Sequence, residues 1–202
     1  MKIYKIGIIG CGGIAQKMAA TLEKMKGVER YAVASRNQEK AEAFANKWGF
    51  TKAYGSYEEL ASDPEVDLIY IATPHAMHYD NAHMCIEKGK PVLCEKAFTA
   101  NARQAEELLA FAKEKGVFIT EAIWTRYMPL SLKIQELLKE GVIGTPYTLS
   151  ANLSYPISNK ERIIRPELAG GALLDIGVYT LNFAAMAFGS DIAETHSVCQ
   201  KT

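Results

Sequence analysis

Residues 3–9 read Ile-Tyr-Lys-Ile-Gly-Ile-Ile and lead directly into residues 10–15, Gly-Cys-Gly-Gly-Ile-Ala. The first run is short, apolar and β-branched, which predicts a buried strand. A helix is predicted from about Gly13 to Met25, and a second strand at residues 31–34, Tyr-Ala-Val-Ala. A strand, a glycine turn, a helix and a second strand together predict a βαβ unit that binds the pyrophosphate of a dinucleotide.

Each position of the glycine turn suits that purpose. Gly10 permits the tight turn, Gly12 lets the backbone approach the phosphates, and the small Ala15 lets helix and strand pack closely. The helix N-terminus offers free N–H groups and the positive end of its dipole. We therefore assign cofactor binding to Gly10, Gly12, Gly13, Ile14 and Ala15. The alternative is an ordinary structural turn.

The end of the second predicted strand indicates which dinucleotide is bound. An NAD site usually has Asp or Glu there, to accept hydrogen bonds from the ribose hydroxyls. This chain has Ser35 and Arg36 instead, and a hydroxyl with a guanidinium would hold a 2′-phosphate. We therefore predict NADP(H) as the cofactor, with NAD as the second choice. The alternative for Arg36 is a solvated residue before a helix.

The composition argues against some classes of function. Lys plus Arg and Asp plus Glu each total 23 in 202 residues, so no net charge attracts nucleic acid or an anionic membrane. The four cysteines have no paired spacing and no secretory leader precedes the first strand, so we expect a reduced, cytoplasmic protein. Residues Ala172–Phe188 are almost wholly apolar but short for a membrane span, and Asp175 and Asn182 interrupt them, so we expect a buried helix.

Strands and helices alternate as far as Thr120. This pattern predicts an α/β fold with a doubly wound parallel sheet, a Rossmann domain, at residues 1–121. Residues 122–202 are predicted to begin a second, mixed domain. It would contain strands at 145–155 and 194–200 and an apolar helix from Ala172, and two separated strands do not make a stable sheet.

Polar residues follow several predicted strands, at the sheet edge where ligands bind in such folds. We expect them to face the cofactor, and they are Thr73, Pro74 and His75, then Glu95 and Lys96, then Glu121–Tyr127. Lys96 comes directly after a buried strand, so its ammonium could hydrogen-bond an alcohol or carbonyl oxygen while hydride moves. The alternative is a surface lysine paired with Glu95.

The apolar helix carries the second predicted group. Asp175 is its only charge, and a buried carboxylate needs a partner. Tyr179 lies four residues on, on the same helix face, and a nearby ammonium such as Lys96 would lower the pKa of its phenol. Asp175, Tyr179 and Lys96 together would handle a proton beside a hydride carrier. The alternative is that Asp175 only braces Gly170 and Gly171.

Three further groups invite weaker hypotheses. His75, His78 and His83 suggest a metal, but nothing indicates the remaining ligands, so no metal site is predicted. Trp124, Arg126 and Tyr127 would line a substrate pocket, with interdomain packing as an equal alternative. The chain also has a basic cluster of Lys160, Arg162 and Arg165. We interpret it as a solvated loop rather than as a clamp on the cofactor phosphate.

Five segments carry a family resemblance: Gly10–Ala15, Ala72-Thr73-Pro74 with His78, Leu93–Lys96, Glu121–Pro129 and Gly170–Tyr179. Together they resemble the glucose–fructose oxidoreductase / inositol dehydrogenase / rhizopine-catabolism (Gfo/Idh/MocA) family of NAD(P)-dependent oxidoreductases, and most of all its dimeric dihydrodiol dehydrogenase branch. The resemblance implies a second domain with a large, mainly antiparallel open sheet. It also implies Lys96 as the catalytic lysine, Asp175 and Tyr179 for proton transfer and substrate alignment, and His78 and Glu95 near the cofactor.

The resemblance further implies reversible oxidation of a secondary alcohol on a sugar, polyol or cyclic diol, and a homodimer for a full-length form. The chain departs from the family pattern at two positions, where Ala97 replaces proline after Glu-Lys and His75 replaces asparagine after Thr-Pro. Family members run well beyond this length, so the second domain is expected to be truncated. The alternative function is a non-catalytic NADP-binding sensor or regulatory protein.

Overall fold

The computed structural model describes residues 2–157 and 159–198. The chain divides into two compact units. The first comprises Met1–Ala122 and Pro156–Asp175, and the second comprises Ile123–Tyr155 and Ile176–Thr202. This division falls one residue after the predicted domain boundary and assigns residues 156–175 to the first unit. The two-domain boundary itself stays a prediction.

The first unit alternates strands and helices. Its strands are β1 (Tyr4–Ile9), β2 (Val28–Ala34), β3 (Lys52–Tyr54), β4 (Leu68–Ile71), β5 (Val92–Glu95) and β6 (Ile119–Ala122). Its helices are α1 (Gly13–Lys24), α2 (Gln38–Trp48), α3 (Tyr57–Ser62), α4 (His78–Glu87) and α5 (Ala102–Lys115). Helix α7 (Glu161–Ile164) also belongs to it, because the chain returns to the first unit at Pro156. Short 3₁₀ turns occur at His75–Met77 and Pro166–Leu168.

The six strands form one sheet in the order β3-β2-β1-β4-β5-β6. Every neighbouring pair is parallel. This is the order of a doubly wound dinucleotide-binding fold, which reverses direction between β1 and β4 and opens a crevice there at the carboxyl ends of the strands. The predicted Rossmann sheet is confirmed.

Apolar side chains cover both faces of this sheet, as a doubly wound fold requires. On β1, Ile8 packs with Val33 and Phe44 in one core cluster. The next residue, Ile9, packs with Ile71 in the other cluster. Successive side chains of a strand point to opposite faces, so one apolar run fills both layers.

Capping residues begin and end two of the helices. The Asn37 side chain accepts a hydrogen bond from the backbone N–H of Lys40 and begins α2, and Gly49 ends it in the left-handed conformation, with φ of 68°. Asn101 caps α5 in the same way, through the backbone N–H of Gln104. Such caps satisfy N–H groups that have no partner inside the helix.

The regular elements that the structure describes in the second unit are helices and helical turns. It contains a 3₁₀ turn (Trp124–Tyr127), α6 (Pro129–Lys139) and α8 (Val178–Phe188), which follows a π-helical turn at Leu173–Gly177. The predicted strand at residues 145–155 is wrong, because no strand forms there. An isolated extended segment has no ladder of hydrogen bonds to hold it. Residues 194–198 of the other predicted strand also form none, and its remainder, with Cys199, lies outside the described residues.

The prediction of a buried apolar helix is also wrong. None of the residues of α8 is buried, and within its own unit α8 packs mainly against α6 and the turn Trp124–Tyr127. Within residues 2–157 and 159–198, Pro166–Phe188 is the one helical stretch that is long and apolar enough to cross a membrane. Only 6% of its most apolar 18-residue segment is buried. One such helix is weak grounds for a membrane span.

Candidate active site

The glycine turn lies where the sheet order reverses. Gly10 follows β1 with φ of 100°, and a Cβ added there would lie 2.9 Å from the backbone oxygen of Ala72, the residue after β4. The N–H of Gly10 donates to the carbonyl oxygen of Ala34 at 2.9 Å. Residue 10 must therefore be glycine, for both its dihedral angle and its closeness to the neighbouring strand.

The residues after Gly10 fit a dinucleotide pyrophosphate. Helix α1 begins at Gly13, with Gly12 as its N-cap, and its first turn has neither a side-chain cap nor an acidic residue. A Cβ added at Gly12 or Gly13 would meet nothing within 4 Å. Residues 12–14 are also exposed, so an anion can approach the N-terminus of α1, where the first N–H groups have no partner inside the helix.

The end of β2 presents the residues predicted to select NADP. Ser35 is buried, and its hydroxyl accepts a hydrogen bond from the backbone N–H of Asn37 at 3.4 Å. Arg36 is exposed. Burial raises the pKa of Tyr57, and the nearby Arg36 guanidinium opposes that rise, so Arg36 and Tyr57 are neighbours at this edge.

His78 joins the loops that follow β4 and β5. It is fully buried, with Nδ1 2.7 Å from the carbonyl oxygen of Ala97 and Nε2 2.8 Å from that of Thr73. Burial lowers the pKa of His78. A neutral imidazole has one N–H, so it donates to one of these two carbonyl oxygens at a time. His78 therefore lies between the two loops, and its direct contact with the cofactor stays a prediction.

Glu95 lies beneath the proposed catalytic lysine. Its carboxylate is buried and accepts hydrogen bonds from the Tyr70 hydroxyl and, at 3.2 Å, from the backbone N–H of Lys96. Burial raises the pKa of Glu95 above its ordinary value. Glu95 and Tyr70 therefore fix the backbone from which Lys96 projects. The peptide bond between Lys96 and Ala97 is cis.

The Lys96 ammonium lies against Asp175. Nζ donates to the backbone oxygen of Asp175 at 2.7 Å and to its Oδ1 at 3.1 Å. The side chains are 13% and 4% exposed, respectively. Lys96 therefore binds Asp175 and is not the surface lysine of the alternative, and Asp175 does more than brace the glycines before it.

A second cation reaches the same carboxylate. The guanidinium of Arg162, on α7, donates to Oδ1 of Asp175. Burial pushes the pKa of Asp175 upward, but the hydrogen bonds and charges of Lys96 and Arg162 outweigh it, so the pKa is lowered. Asp175 is therefore ionised at neutral pH. Arg162 is exposed, as predicted for a solvated loop, but its guanidinium also pairs with Asp175, whereas Arg165 pairs with Glu161 and Glu167.

His75 also faces this group. Its Nδ1 lies 3.3 Å from the carbonyl oxygen of Ala169, and a carbonyl only accepts, so Nδ1 carries the hydrogen. Nε2 lies 4.0 Å from Oδ1 of Asp175. Burial lowers the pKa of His75 to about 4, so the ring is neutral at neutral pH.

The second unit brings together two other predicted residues. The indole N–H of Trp124 donates to the Tyr179 hydroxyl at 3.1 Å, and the two rings meet edge to face with centroids 6.1 Å apart. Tyr127 is exposed. The substrate-binding role of Trp124, Arg126 and Tyr127 stays a prediction.

The first unit thus gathers Lys96, Asp175 and His75, and the second gathers Tyr179 and Trp124. Sequence analysis missed two residues of the site. Tyr70 had a signal, since a tyrosine in a buried aliphatic strand needs a partner for its hydroxyl. Arg162 had none, because nothing in its spacing connects it to Asp175. In the described part of the chain, no three His, Cys, Asp or Glu side chains gather to hold a metal ion.

The fold and the glycine turn define an NAD(P)-binding Rossmann protein with a buried lysine–aspartate pair at the carboxyl edge of its sheet. Residues 4–122 match the model of the GFO/IDH/MocA oxidoreductase family with the NAD-binding Rossmann fold. Residues 131–202 match the GFO/IDH/MocA C-terminal domain. The chain belongs to this family, which confirms the resemblance noted in its sequence.

Several relatives have named activities. A D-xylose 1-dehydrogenase (NADP(+)) from Hypocrea jecorina is 44% identical over 201 residues, covering 89% of this chain and 51% of the relative. The human trans-1,2-dihydrobenzene-1,2-diol dehydrogenase is 40% identical, covering 95% of this chain and 58% of the relative. A crystal structure of a 3-ketoreductase from Actinomadura kijaniata with NADP is 31% identical with a TM-score of 0.81, covering 93% of this chain and 56% of that one. The chain spans about half the length of the curated relatives it matches.

Proposed function

We propose that this protein is an NADP(H)-dependent oxidoreductase that transfers hydride between the nicotinamide and a secondary alcohol or carbonyl carbon of a sugar, polyol or cyclic diol. The observation that carries the proposal is the shielded Lys96–Asp175 pair at the carboxyl end of β5, on the same sheet edge as the glycine turn. Relatives named as NADP-dependent xylose dehydrogenase and as dihydrodiol dehydrogenase support this substrate class.

The choice of NADP rests on Arg36. Its exposed guanidinium and the Ser35 hydroxyl follow β2, at the position where an NAD site has a carboxylate. A guanidinium pairs with a 2′-phosphate through charge-assisted hydrogen bonds. The names of a relative and of a solved structure that bind NADP support the same choice.

Lys96 has the central role in the proposed chemistry. A bound nicotinamide supplies or accepts the hydride. The Lys96 ammonium holds the substrate oxygen by a hydrogen bond and stabilises the negative charge that grows on it. Asp175 fixes the direction of that ammonium. Because both side chains are largely shielded from water, their charges act more strongly than they would at the surface.

Tyr179 is proposed to pass the proton to or from the substrate oxygen. This role rests on the family resemblance. The bond from the Trp124 indole supports it, because a donor to the phenol oxygen stabilises the phenolate form. Trp124, Arg126 and Tyr127 are proposed to contact the substrate.

The test measures cofactor binding and turnover separately. NADPH and NADH fluorescence titrations give the affinities, and NADPH-linked absorbance is followed with a panel of aldoses, polyols, cyclic diols and dicarbonyls. Lys96→Met is compared with Lys113→Met, which removes an exposed lysine of α5. We expect Lys96→Met to keep NADPH binding and to lose roughly a hundredfold or more in turnover, as for other electrostatic catalytic groups. Lys113→Met is expected to match the parent.

Each result has a definite meaning. NADPH binding without turnover of any panel member by the parent would favour the sensor over the enzyme. Equal turnover by Lys96→Met and the parent would refute the role of Lys96. Tighter binding of NADH than of NADPH would refute the cofactor choice.

A further inference from the structure

Asp175 is the meeting point of the charged groups in the first unit. Lys96 approaches it from the end of β5, Arg162 from α7, and His75 from the 3₁₀ turn before α4. The Asp175 side chain is 4% exposed, whereas the Arg162 side chain is 46% exposed. Arg162 therefore reaches in from the solvent side to a carboxylate that is otherwise enclosed.

The backbone fixes Arg162 relative to Asp175. The N–H of Gly171 donates to the carbonyl oxygen of Ile163 at 2.8 Å, and the N–H of Asp175 donates to that of Gly171 at 3.3 Å. At Gly170 a Cβ would lie 2.5 Å from the Ile163 oxygen. The α7 turn can approach this closely only because residue 170 is glycine, so Arg162 and Asp175 belong to one tightly held segment.

The charges explain what a second cation contributes. Lys96 and Asp175 alone would form a neutral pair, and the carboxylate would cancel most of the field of the ammonium. Arg162 adds a positive charge to the same oxygen, and the neutral His75 adds none. Lys96, Asp175 and Arg162 then carry a net charge of about +1 between them, before the nearby Glu95 carboxyl group is counted. This added positive charge favours negative charge on an oxygen bound by Lys96.

We propose that Arg162 is a positioning residue for the reaction, which holds the Asp175 carboxylate in place against Lys96 and adds positive charge to the site. The inference rests on the proposed function for its catalytic meaning, but the effect of Arg162 on Asp175 can be measured without cofactor or substrate. Arg162 itself is not required to touch the substrate.

The test is a titration of Asp175 by carbon-13 NMR. The chain has five aspartates, at positions 63, 67, 80, 175 and 191, so carboxyl labelling gives few signals, and Asp175→Asn identifies the relevant one. Arg162→Gln removes the proposed cation, and Arg162→Lys retains its charge. Arg165→Gln is the matched control, because this neighbouring arginine pairs with Glu161 and Glu167.

We expect Arg162→Gln to raise the pKa of Asp175 by about one unit or more, the usual effect of losing a close opposite charge. Arg165→Gln should leave it unchanged, and Arg162→Lys should keep it within about half a unit of the parent. An unchanged pKa in Arg162→Gln would overturn the proposal. So would an equal rise in Arg165→Gln, or a rise in Arg162→Lys as large as in Arg162→Gln.

Turnover supplies the second readout where the parent is active. Arg162→Gln should lower kcat, leave the Kd for NADPH unchanged and move the acid limb of the kcat/KM profile to higher pH. A loss of turnover with an unshifted acid limb would mean a merely structural role and would overturn the proposal. If the parent is inactive, the proposed function fails while the titration still decides whether Arg162 controls Asp175.

Discussion

Gly10 and Gly12 of the same turn have different roles, and alanine substitutions distinguish these roles. At Gly10 the backbone has φ of 100°, and an added Cβ would lie 2.9 Å from the backbone oxygen of Ala72. At Gly12 φ is −80°, which any residue adopts, and a Cβ would meet nothing within 4 Å. Gly10→Ala should therefore harm the fold, and Gly12→Ala should harm only ligand binding.

The magnitudes follow from these contacts. A positive φ costs a residue with a Cβ about 1–2 kcal/mol, and a clash with backbone that cannot move away costs about 1–3 kcal/mol more. Gly10→Ala should thus lose roughly 2–5 kcal/mol of unfolding free energy, a large part of the 5–15 kcal/mol typical of domains. Gly12→Ala should change stability by less than about 0.5 kcal/mol.

Gly12→Ala should act on NADPH affinity rather than on stability. A methyl group at Gly12 stands where the backbone must approach the pyrophosphate, so Gly12→Ala should weaken NADPH binding about tenfold or more, equivalent to about 1.4 kcal/mol. Urea unfolding followed by circular dichroism measures stability, and NADPH fluorescence measures affinity. A Gly12→Ala protein that is as unstable as Gly10→Ala, or that binds NADPH like the parent, would refute this account of the turn.

Two further predictions concern pH and cofactor choice. Because the unfolded chain protonates His75 near pH 6.5 and the folded chain only near pH 4, this residue makes stability fall as pH drops through that window. His75→Gln should reduce the fall measured by urea unfolding. An unaltered fall in His75→Gln would contradict the neutral, buried ring. Arg36→Gln should weaken NADPH binding by roughly 10- to 100-fold, which corresponds to the loss of a charge-assisted hydrogen bond, and should change NADH binding little. Equal losses for both dinucleotides would contradict the role of Arg36 at the 2′-phosphate.

The sequence by itself determined the Rossmann unit. The sequence signals of this unit are local. The first strand, the glycine turn and each capped helix are specified by residues within about a dozen positions of one another. The same reasoning placed Lys96 at the carboxyl edge of the sheet, since a residue that directly follows a buried parallel strand has to emerge there. Asp175 was singled out because a lone charge in an apolar helix needs a partner.

Tertiary structure decided what no local pattern encodes. Lys96 and Asp175 are 79 residues apart in sequence, and their contact exists only because α7 and the glycines at 170 and 171 bring Asp175 back to the first unit. Arg162 looked like a solvated residue for the same reason, since its partner is set by a backbone approach that depends on the absence of a side chain at Gly170. The strand predicted at residues 145–155 failed because a strand forms by pairing, and pairing partners are a property of the folded chain rather than of the segment.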